Sequence, residues 1–166
     1  MSHIEHKSHA KKAVKCAVLT ISDSRTEKTD ESGGIITSKL EESMHKVAHY
    51  KILKDDYDAV KNEIESLLNS DADVIITNGG TGISTRDITY DVVEGILDKK
   101  LHGFGELFRY LSYNEIGSAA IMSRAVAGVA KGKVVISVPG SKNAVKLAME
   151  KLILPELGHM VFEANR

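Results

Sequence analysis

Short apolar runs alternate with amphipathic segments along most of the chain. The runs VKCAVLTI, VAHYKIL, ADVIIT and KVVISVPG read as strands, because they are apolar or alternate apolar with polar residues and end in polar or glycine-rich loops. Between and after these runs, apolar residues recur every three or four positions, as in helices packed on one face. This alternation predicts an α/β fold with a mainly parallel sheet and helices on both of its faces.

The predicted helices are identified by their apolar positions. They carry Ile36, Leu40 and Met44; Val60, Ile64, Leu67 and Leu68; Val92, Val93, Ile96 and Leu97; Phe104, Leu107, Phe108 and Leu111; and Val145, Ala148, Met149 and Leu152. Thr89 is expected to cap the third helix, and the last helix is predicted over SKNAVKLAMEKLIL. Between Ile116 and Lys133 the pattern weakens, and a turn at Lys131-Gly132 predicts a short antiparallel hairpin.

The apolar periodicity begins at Val14, and this sets the expected domain boundary. It predicts a flexible N-terminal tail over residues 1–13 and a single domain over residues 14–166, an ordinary length for one domain. The tail contains histidines at a spacing of three, which could gather a metal on one helix face. No apolar residues support a helix there, so a polar tail is the prediction.

Composition excludes several classes of function. The chain is 42% hydrophobic and 27% charged, with no apolar run long enough for a membrane span or a signal-peptide core, so we expect a cytoplasmic protein. Its single cysteine, Cys16, excludes a disulfide framework and a cysteine zinc site. A net charge of −1 without a block of Lys and Arg argues against nucleic acid as a partner.

The loop after the third predicted strand is the strongest candidate for a binding site. In open parallel sheets, ligands bind beyond the carboxyl ends of the strands. Gly79, Gly80 and Gly82 would let the backbone take positive φ and approach a ligand closely, with exposed amides suited to phosphate. Thr81 and Ser84 add hydroxyl donors.

A second turn of the same kind follows the last predicted strand. Pro139, Gly140 and Ser141 form it, and Ser141 is placed to cap the next helix. Each loop alone could be only a tight turn, but two of them across one crevice predict a ligand with several phosphates. Neither GxxxxGK[ST] nor GxGxxG is present, which argues against a P-loop hydrolase and a dinucleotide dehydrogenase.

Acidic residues near the same strand ends predict a metal. Asp56 and Asp87 would face the phosphates, and carboxylates beside phosphates indicate a divalent cation, most naturally Mg²⁺. Loop solvation or helix capping is the competing interpretation for Asp56. Capping or an ion pair with Arg86 competes for Asp87. Ser22 and Asp23 end the first strand, and Asp23 could equally be structural.

Several segments, in order, resemble the MoaB/MogA family of molybdenum cofactor biosynthesis proteins. They are LTISDSRTEKTDESG, TNGGTGISTRD, LHGFGELFRYLSYNEIGSAAIMSRAVAGV and SVPGSKNAVKLAMEKLILPELGHM. The resemblance implies a three-layer α/β/α molybdopterin-binding fold, trimers or hexamers, and a possible molybdenum-insertion partner. It also implies adenylyltransferase activity, in which the terminal phosphate of molybdopterin attacks the α-phosphate of ATP and pyrophosphate leaves. A non-catalytic molybdopterin carrier is the alternative.

The resemblance also implies roles for individual residues. Asp56 and Asp87 correspond to a catalytic pair linked to Mg²⁺, and the remaining positions correspond to phosphate ligands or pocket walls: Gly79, Gly80, Thr81, Gly82, Ser22, Asp23, Pro139, Gly140 and Ser141. Glu106 corresponds to a residue on the pterin side, with a helix-surface carboxylate as the alternative. Ser123 and Arg124 lie in another family motif and could equally be structural.

Two positions depart from the usual pattern of the family. Lys142 replaces a second proline in the turn that often reads PGSP or PGNP, which adds a cation near an expected anion. Asn78 stands before the glycines, where threonine is frequent. Both residues can form hydrogen bonds, so the departures bear on ligand preference more than on binding.

Overall fold

The computed structural model describes residues 13–166, so most of the predicted tail lies outside the described residues. The strands are β1 (Lys15–Ile21), β2 (Lys46–Leu53), β3 (Val74–Asn78), β4 (Lys99–Lys100), β5 (Val126–Ala130) and β6 (Lys133–Val138). The α-helices are α1 (Glu31–Glu42), α2 (Tyr57–Leu68), α3 (Thr89–Ile96), α4 (His102–Ile116), α5 (Lys142–Ala148) and α6 (Leu154–Ala164). A 3₁₀ helix, Gly117–Met122, follows α4.

The six strands form one sheet in the order β2-β1-β3-β6-β5-β4. The first four of these are parallel, whereas β5 runs antiparallel to both β6 and β4. The predicted hairpin is therefore confirmed. Lys131 (φ 48°) and Gly132 (φ 75°) both have positive φ at its turn, which matches the twist of a two-residue hairpin. The two-residue strand β4 was not predicted.

Helices cover both faces of the sheet and produce three layers. Side chains on β1 alternate between the two faces: Cys16 and Val18 pack with α1 and α4 to α6, and Ala17 and Leu19 pack with α2 and α3. Because both faces are buried, the central strands are nearly continuous apolar runs. The three-layer α/β/α expectation is confirmed. Every helix within residues 13–166 is too short or too polar to span a lipid bilayer.

Two helix boundaries differ from the sequence prediction. Thr89 does not cap α3 but is its first residue; the N-cap is Ile88, and no side chain caps that end. The last helix does not stop at Leu154. It passes through a π-helical turn at Met149–Ile153 and continues as α6, with Pro155 in the first turn of that segment. A proline lacks an amide N–H, and a wide turn before it avoids the clash with the preceding carbonyls.

Met44 was predicted on the buried face of α1, and this prediction is wrong. The helix ends at Glu42, and Met44 is 79% exposed with a left-handed φ of 66°. The amide of Met44 donates to Glu41 O and that of His45 donates to Leu40 O, the paired bonds that close many helices. Glycine is the usual residue at this position because it has no Cβ.

Replacing Met44 should therefore separate backbone strain from side-chain packing. Met44→Gly relieves the left-handed strain, whereas Met44→Ala removes the exposed side chain and keeps the strain. We expect the glycine variant to exceed the alanine variant by about 1 kcal/mol in free energy of unfolding, measured by urea denaturation. Equal free energies of unfolding for Met44→Gly and Met44→Ala would show that the left-handed φ at position 44 does not destabilise the protein.

Candidate functional site

The carboxyl ends of β1, β3 and β6 open into one crevice. Its cavity of about 580 Å³ is lined by Ile21, Ser22, Ser24, Arg25, Gly79, Gly80, Thr81, Gly82, Asp87, Ala119, Met122, Ser123, Pro139, Gly140 and Ser141. Most of the site residues expected from the sequence are thus brought together. A second cavity of about 380 Å³ shares Ser22 and Arg25 with the first and extends along β2 past Asp23. The two cavities form adjoining lobes.

Another cavity, of about 430 Å³, lies away from these residues. It is bordered by Leu101, Val129, Val134 and Met160, at the end of the sheet opposite the crevice. It contains none of the residues expected from the sequence. The chemistry predicted at the strand ends therefore belongs to the two-lobed crevice.

Glycines are required where the three strand ends meet. Gly79 has φ 95°, and a Cβ there would collide with the carbonyl oxygen of Ile21. A Cβ on Gly140 would lie 3.0 Å from the Cα of Gly79. The turns after β3 and β6 therefore touch through bare backbone, which keeps their amides at the floor of the crevice.

Hydrogen bonds to two carbonyl groups determine where the neighbouring amides point. The carbonyl of Gly80 accepts from the Thr89 amide at 2.9 Å, and that of Gly140 accepts from Arg25 Nη2 at 2.9 Å. In a trans peptide, C=O and the next N–H point in opposite directions, and the described chain has no cis bond. The amides of Thr81 and Ser141 therefore point away from these partners. Neither amide donates to any described atom, so both are available to an anion.

Asp87 is held as a carboxylate by the loop that precedes it. Its Oδ2 accepts from Ser84 Oγ at 2.6 Å and from Ser84 N at 2.9 Å. The hydroxyl bond from Ser84 lowers the pKa of Asp87 most; burial opposes this, and the amides of Ser84 and Gly82 and the charge of Arg124 reinforce it. Asp87 neither caps α3 nor pairs with Arg86, which instead contacts Asp23 at 3.3 Å. Neither competing interpretation of Asp87 applies.

Asp55, which the sequence analysis did not select, faces the same group of charges. Its amide donates to Asp23 Oδ1 at 3.3 Å. Burial raises the pKa of Asp55, and the negative charges of Asp23 and Asp87 raise it further. Asp87 lines the crevice and Asp23 lines its second lobe, and both repel the carboxylate of Asp55, which lies beside Gly80. A divalent cation would relieve this repulsion.

The donor set fits Mg²⁺ that arrives with a phosphate-bearing ligand. Across residues 13–166, no three His, Cys, Asp or Glu side chains are grouped as a ready-made metal cage. Mg²⁺ does not require one, because it is usually held by one or two carboxylates, water and substrate phosphates. Asp55 and Asp87, beside the available amides, offer that combination.

Asp56 and Glu106 lie outside the crevice. Asp56 is the N-cap of α2, with Oδ1 accepting from the Ala59 amide at 2.8 Å, and it is exposed. The capping interpretation applies to it, and its position just before an amphipathic helix was the signal. Glu106 is exposed on α4 and does not line either lobe, so the surface-carboxylate interpretation applies.

The two departures from the family pattern also have clear positions. Asn78 is buried below the crevice, where its Nδ2 donates to Thr20 Oγ1 at 2.9 Å and to Leu19 O at 3.3 Å. It ties β3 to β1 and does not line the cavity. Lys142 pairs with Glu31 at 2.5 Å on the surface, so its charge is directed toward α1. Ser141 caps α5 through the Ala144 amide, as predicted.

A buried carboxylate, Asp30, supports the crevice from below and was not selected from the sequence. It accepts from Thr20 Oγ1 (2.5 Å), Tyr50 OH (2.7 Å), the Gly33 amide (3.0 Å) and Arg25 Nη1 (3.3 Å). Burial alone would raise the pKa of Asp30, but these bonds outweigh burial and lower it. Through Arg25, Asp30 is linked to the carbonyl of Gly140.

With this geometry established, comparison with known proteins identifies the family. Residues 17–159 match the model of a probable molybdopterin binding domain. The chain belongs to this family of molybdenum cofactor biosynthesis proteins. Molybdenum cofactor biosynthesis protein B of Bacillus cereus is 53% identical over 100% of this chain and 99% of its own length. Its counterpart from Bacillus subtilis is 51% identical with the same coverage.

Solved structures of the molybdopterin-binding family share the fold. A crystal structure of molybdenum cofactor biosynthesis protein B has a TM-score of 0.91 at 53% identity, covering 95% of this chain and 99% of that one. The tungsten cofactor synthesizing protein MoaB from Pyrococcus furiosus has a TM-score of 0.86 at 40% identity, with coverage of 95% and 100%. A structure of MogA has a TM-score of 0.82 at 27% identity, with coverage of 90% and 99%. The MoaB/MogA resemblance is confirmed.

The contact between turns predicts opposite effects of one substitution at two glycines. Gly79→Ala should lower the free energy of unfolding by about 1–3 kcal/mol, because its Cβ meets the Ile21 carbonyl at a left-handed φ. Gly34→Ala is the control: its Cβ would meet nothing within 4 Å, and alanine favours the interior of α1 by about 0.5–1 kcal/mol. Urea denaturation measures both. Similar effects at the two sites would contradict the contact.

The lowered pKa of Asp30 predicts a pH dependence of stability. Its unfolded pKa is about 3.9, so the ionised form stabilises the fold fully above that pH, and the contribution is lost as pH falls through the lower folded value. Asp30→Asn should cost about 2 kcal/mol at pH 7 and reduce the loss of stability on acidification. The control is Asp58→Asn, on the exposed first turn of α2. It should change the stability at pH 7, and the loss of stability on acidification, by no more than about 0.5 kcal/mol each. Parallel stability curves for Asp30→Asn and the parent chain would refute the assignment.

Proposed function

We propose that the protein is a molybdopterin adenylyltransferase that uses MgATP. The terminal phosphate of molybdopterin would attack the α-phosphate of ATP, forming the phosphoanhydride of adenylylated molybdopterin and releasing pyrophosphate. The observation that carries this proposal is that available backbone amides share one crevice with the Asp87 carboxylate, while Asp23 lines the adjoining lobe and Asp55 lies beside Gly80. Amides alone would suit any anion, whereas the added carboxylates suit phosphates accompanied by a cation. Membership of the molybdopterin-binding family supports the choice of pterin substrate.

The site is suited to positioning anions and has no need of a general base. The attacking phosphate is already negatively charged, so the barrier comes mainly from bringing two anionic groups together in line. The amides of Thr81 and Ser141 would bind phosphate oxygens from opposite turns of the crevice. The adjoining lobes of about 580 and 380 Å³ give room for two substrates that meet near Ser22.

The carboxylates would hold the cation on one side of the phosphates. When bound, Mg²⁺ supplies charge neutralisation for the phosphate oxygens. Asp87 is prepared for this role, because Ser84 orients its carboxylate and lowers its pKa. Asp55, rather than Asp56, is its proposed partner, since Asp55 is the carboxylate that interacts with Asp23 and Asp87.

The repulsion at Asp55 favours an enzyme over a carrier. A carboxylate whose charge is disfavoured by its neighbours costs the folded protein free energy until a cation binds. A protein that only carried molybdopterin would gain nothing from this arrangement. A carboxylate whose charged form is disfavoured by burial and by neighbouring charges is the pattern expected where charge is neutralised during a reaction.

We also propose that the protein acts as a homo-oligomer, a trimer or a hexamer, and passes its product to a molybdenum-insertion partner. Exposed apolar side chains cluster on α4 and the 3₁₀ helix after it: Leu107, Tyr110, Tyr113, Ile121 and Met122. A surface of this kind is more typical of an interface than of a monomer exterior. Light scattering tests it, and a particle of 18.1 kDa at micromolar concentration would contradict it.

Adjacent aspartates provide a matched test of the catalytic assignment. Asp55→Asn should lower turnover at least about 100-fold and keep most molybdopterin binding, since it removes charge from the cation side of the phosphates. The metal-free variant should also melt at a higher temperature, because repulsion with Asp23 and Asp87 is removed. Asp56→Asn should retain turnover, because Asn caps a helix as well as Asp does. Pyrophosphate and adenylylated molybdopterin are measured together.

Each result has a distinct meaning. Normal turnover in Asp55→Asn with lost turnover in Asp56→Asn would return the catalytic role to Asp56. Tight molybdopterin binding by the parent chain, without product when ATP and Mg²⁺ are present, would make the protein a carrier. Product that requires molybdopterin, ATP and Mg²⁺ together is the expected outcome.

A further inference from the structure

Arg124 binds the phosphate-site loop from outside the reacting centre. Its Nε donates to the Thr81 carbonyl at 3.0 Å, and its Nη2 donates to the Gly82 carbonyl at 2.6 Å and the Asp87 carbonyl at 3.3 Å. One guanidinium therefore bridges both ends of the segment between Thr81 and Asp87. This segment contains no helix or strand that could fix its carbonyls by itself.

The guanidinium is itself anchored on α3. Nη1 and Nη2 of Arg124 contact the two carboxylate oxygens of Asp91 at 3.0 and 3.2 Å, a bidentate pair. The guanidinium also lies over the ring of Tyr90, 4.7 Å from its centroid. Because Asp91 and Tyr90 belong to the first turn of α3, Arg124 links the loop to a rigid element. A lysine could not reproduce the planar fork that makes these contacts together.

The bonds to Arg124 determine the direction of the next amide in the loop. Holding the Thr81 carbonyl toward Arg124 turns the Gly82 amide to the opposite side of the trans peptide. There the Gly82 amide interacts with the carboxylate of Asp87. Among the described hydrogen bonds, the carbonyls of Thr81 and Gly82 have no donor except Arg124. Without Arg124 both carbonyls would be free to rotate.

We propose that Arg124 is the positioning residue of the phosphate site: it fixes the carbonyls of the Thr81 to Asp87 loop, so that the Asp87 carboxylate stays at the crevice beside the Thr81 amide, whose direction the Gly80 carbonyl sets. Arg124 acts through the loop and does not touch the substrate. Its effect on anion binding follows from the geometry alone, and its effect on turnover rests on the proposed adenylyltransferase function. The guanidinium thus converts a glycine-rich turn into an ordered anion site.

The first test measures loop order and anion binding, independently of catalysis. In Arg124→Lys and Arg124→Ala, hydrogen–deuterium exchange over residues 79–88 should accelerate at least about tenfold, while the sheet amides keep their protection. Affinity for inorganic pyrophosphate with Mg²⁺, measured by calorimetry, should fall at least about tenfold, roughly the effect of one charge-assisted hydrogen bond. The matched control is Arg166→Gln, which alters a surface arginine that pairs with Glu163. It should change neither the exchange of residues 79–88 nor the pyrophosphate affinity.

Chemical rescue distinguishes positioning from general destabilisation. Millimolar guanidinium ion should restore part of the pyrophosphate affinity of Arg124→Ala, because it can occupy the vacated position between Asp91 and the loop carbonyls. It should not rescue Arg124→Lys, in which the ammonium still fills that space. Exchange that accelerates equally over the whole chain, with no rescue, would overturn the proposal. Unchanged exchange in the loop with intact affinity would also overturn it.

Turnover separates this proposal from the proposed function. If the parent chain forms adenylylated molybdopterin, both Arg124 variants should lose kcat/KM at least about tenfold. If the parent chain forms no product, but loop order and pyrophosphate affinity depend on Arg124 as expected, the positioning role stands and the adenylyltransferase assignment fails.

Discussion

The direct contact between backbone segments at Ile21, Gly79 and Gly140 is the constraint on which the crevice depends. The ends of β1, β3 and β6 approach so closely that a Cβ on either glycine would meet another main chain. A Cβ on Gly79 would collide with the Ile21 carbonyl and one on Gly140 would crowd Gly79, so the floor of the crevice consists of peptide groups. Peptide groups offer fixed donors that need no reorganisation when an anion binds, and this makes the same contact both a packing requirement and a functional one.

The available amides follow from where the carbonyls are bound. The Thr89 amide holds the Gly80 carbonyl and Arg25 holds the Gly140 carbonyl, which directs the amides of Thr81 and Ser141. Arg124 holds the carbonyls of Thr81 and Gly82 and so orders the rest of the loop. Each arginine also pairs with a carboxylate, Arg25 with Asp30 and Arg124 with Asp91. Two glycine-rich turns that would be mobile as isolated peptides are thereby tied to helices on opposite faces of the sheet.

Much of the fold could be predicted from local sequence, whereas parts of the site could not. Periodicity located the strands and most helices, because burial of one face imposes it. The prediction that Met44 is buried on α1 was wrong, because the backbone bonds from Met44 to Glu41 and from His45 to Leu40 end the helix before Met44. Glycine spacing located the two turns that line the crevice. Arg25 and Arg124 were not assigned their roles, since each acts on residues distant in sequence and nothing in its local pattern indicates the partner.

The choice between Asp55 and Asp56 required both local and long-range information. Helix capping identifies Asp56 from its position before α2. It does not show that Asp55 turns toward Asp23 and Asp87, because that depends on the placement of β2 beside β1 and of β1 beside β3. The sequence analysis assigned the catalytic role to Asp56, whose carboxylate caps α2, and did not select Asp55.

The pKa values of two carboxylates beside this crevice, Asp30 and Asp55, shift in opposite directions. Asp30 is buried with hydrogen bonds from several donors, so its charged form is favoured and the fold gains stability above its unfolded pKa. Burial, and then the negative charges of Asp23 and Asp87, disfavour the charged form of Asp55, so the fold loses stability as pH rises through its raised folded pKa. The first interaction is complete in the free protein. Under the proposed function, a cation that enters with phosphates would offset the repulsion at Asp55, so ligand binding, rather than folding, would stabilise its charged form.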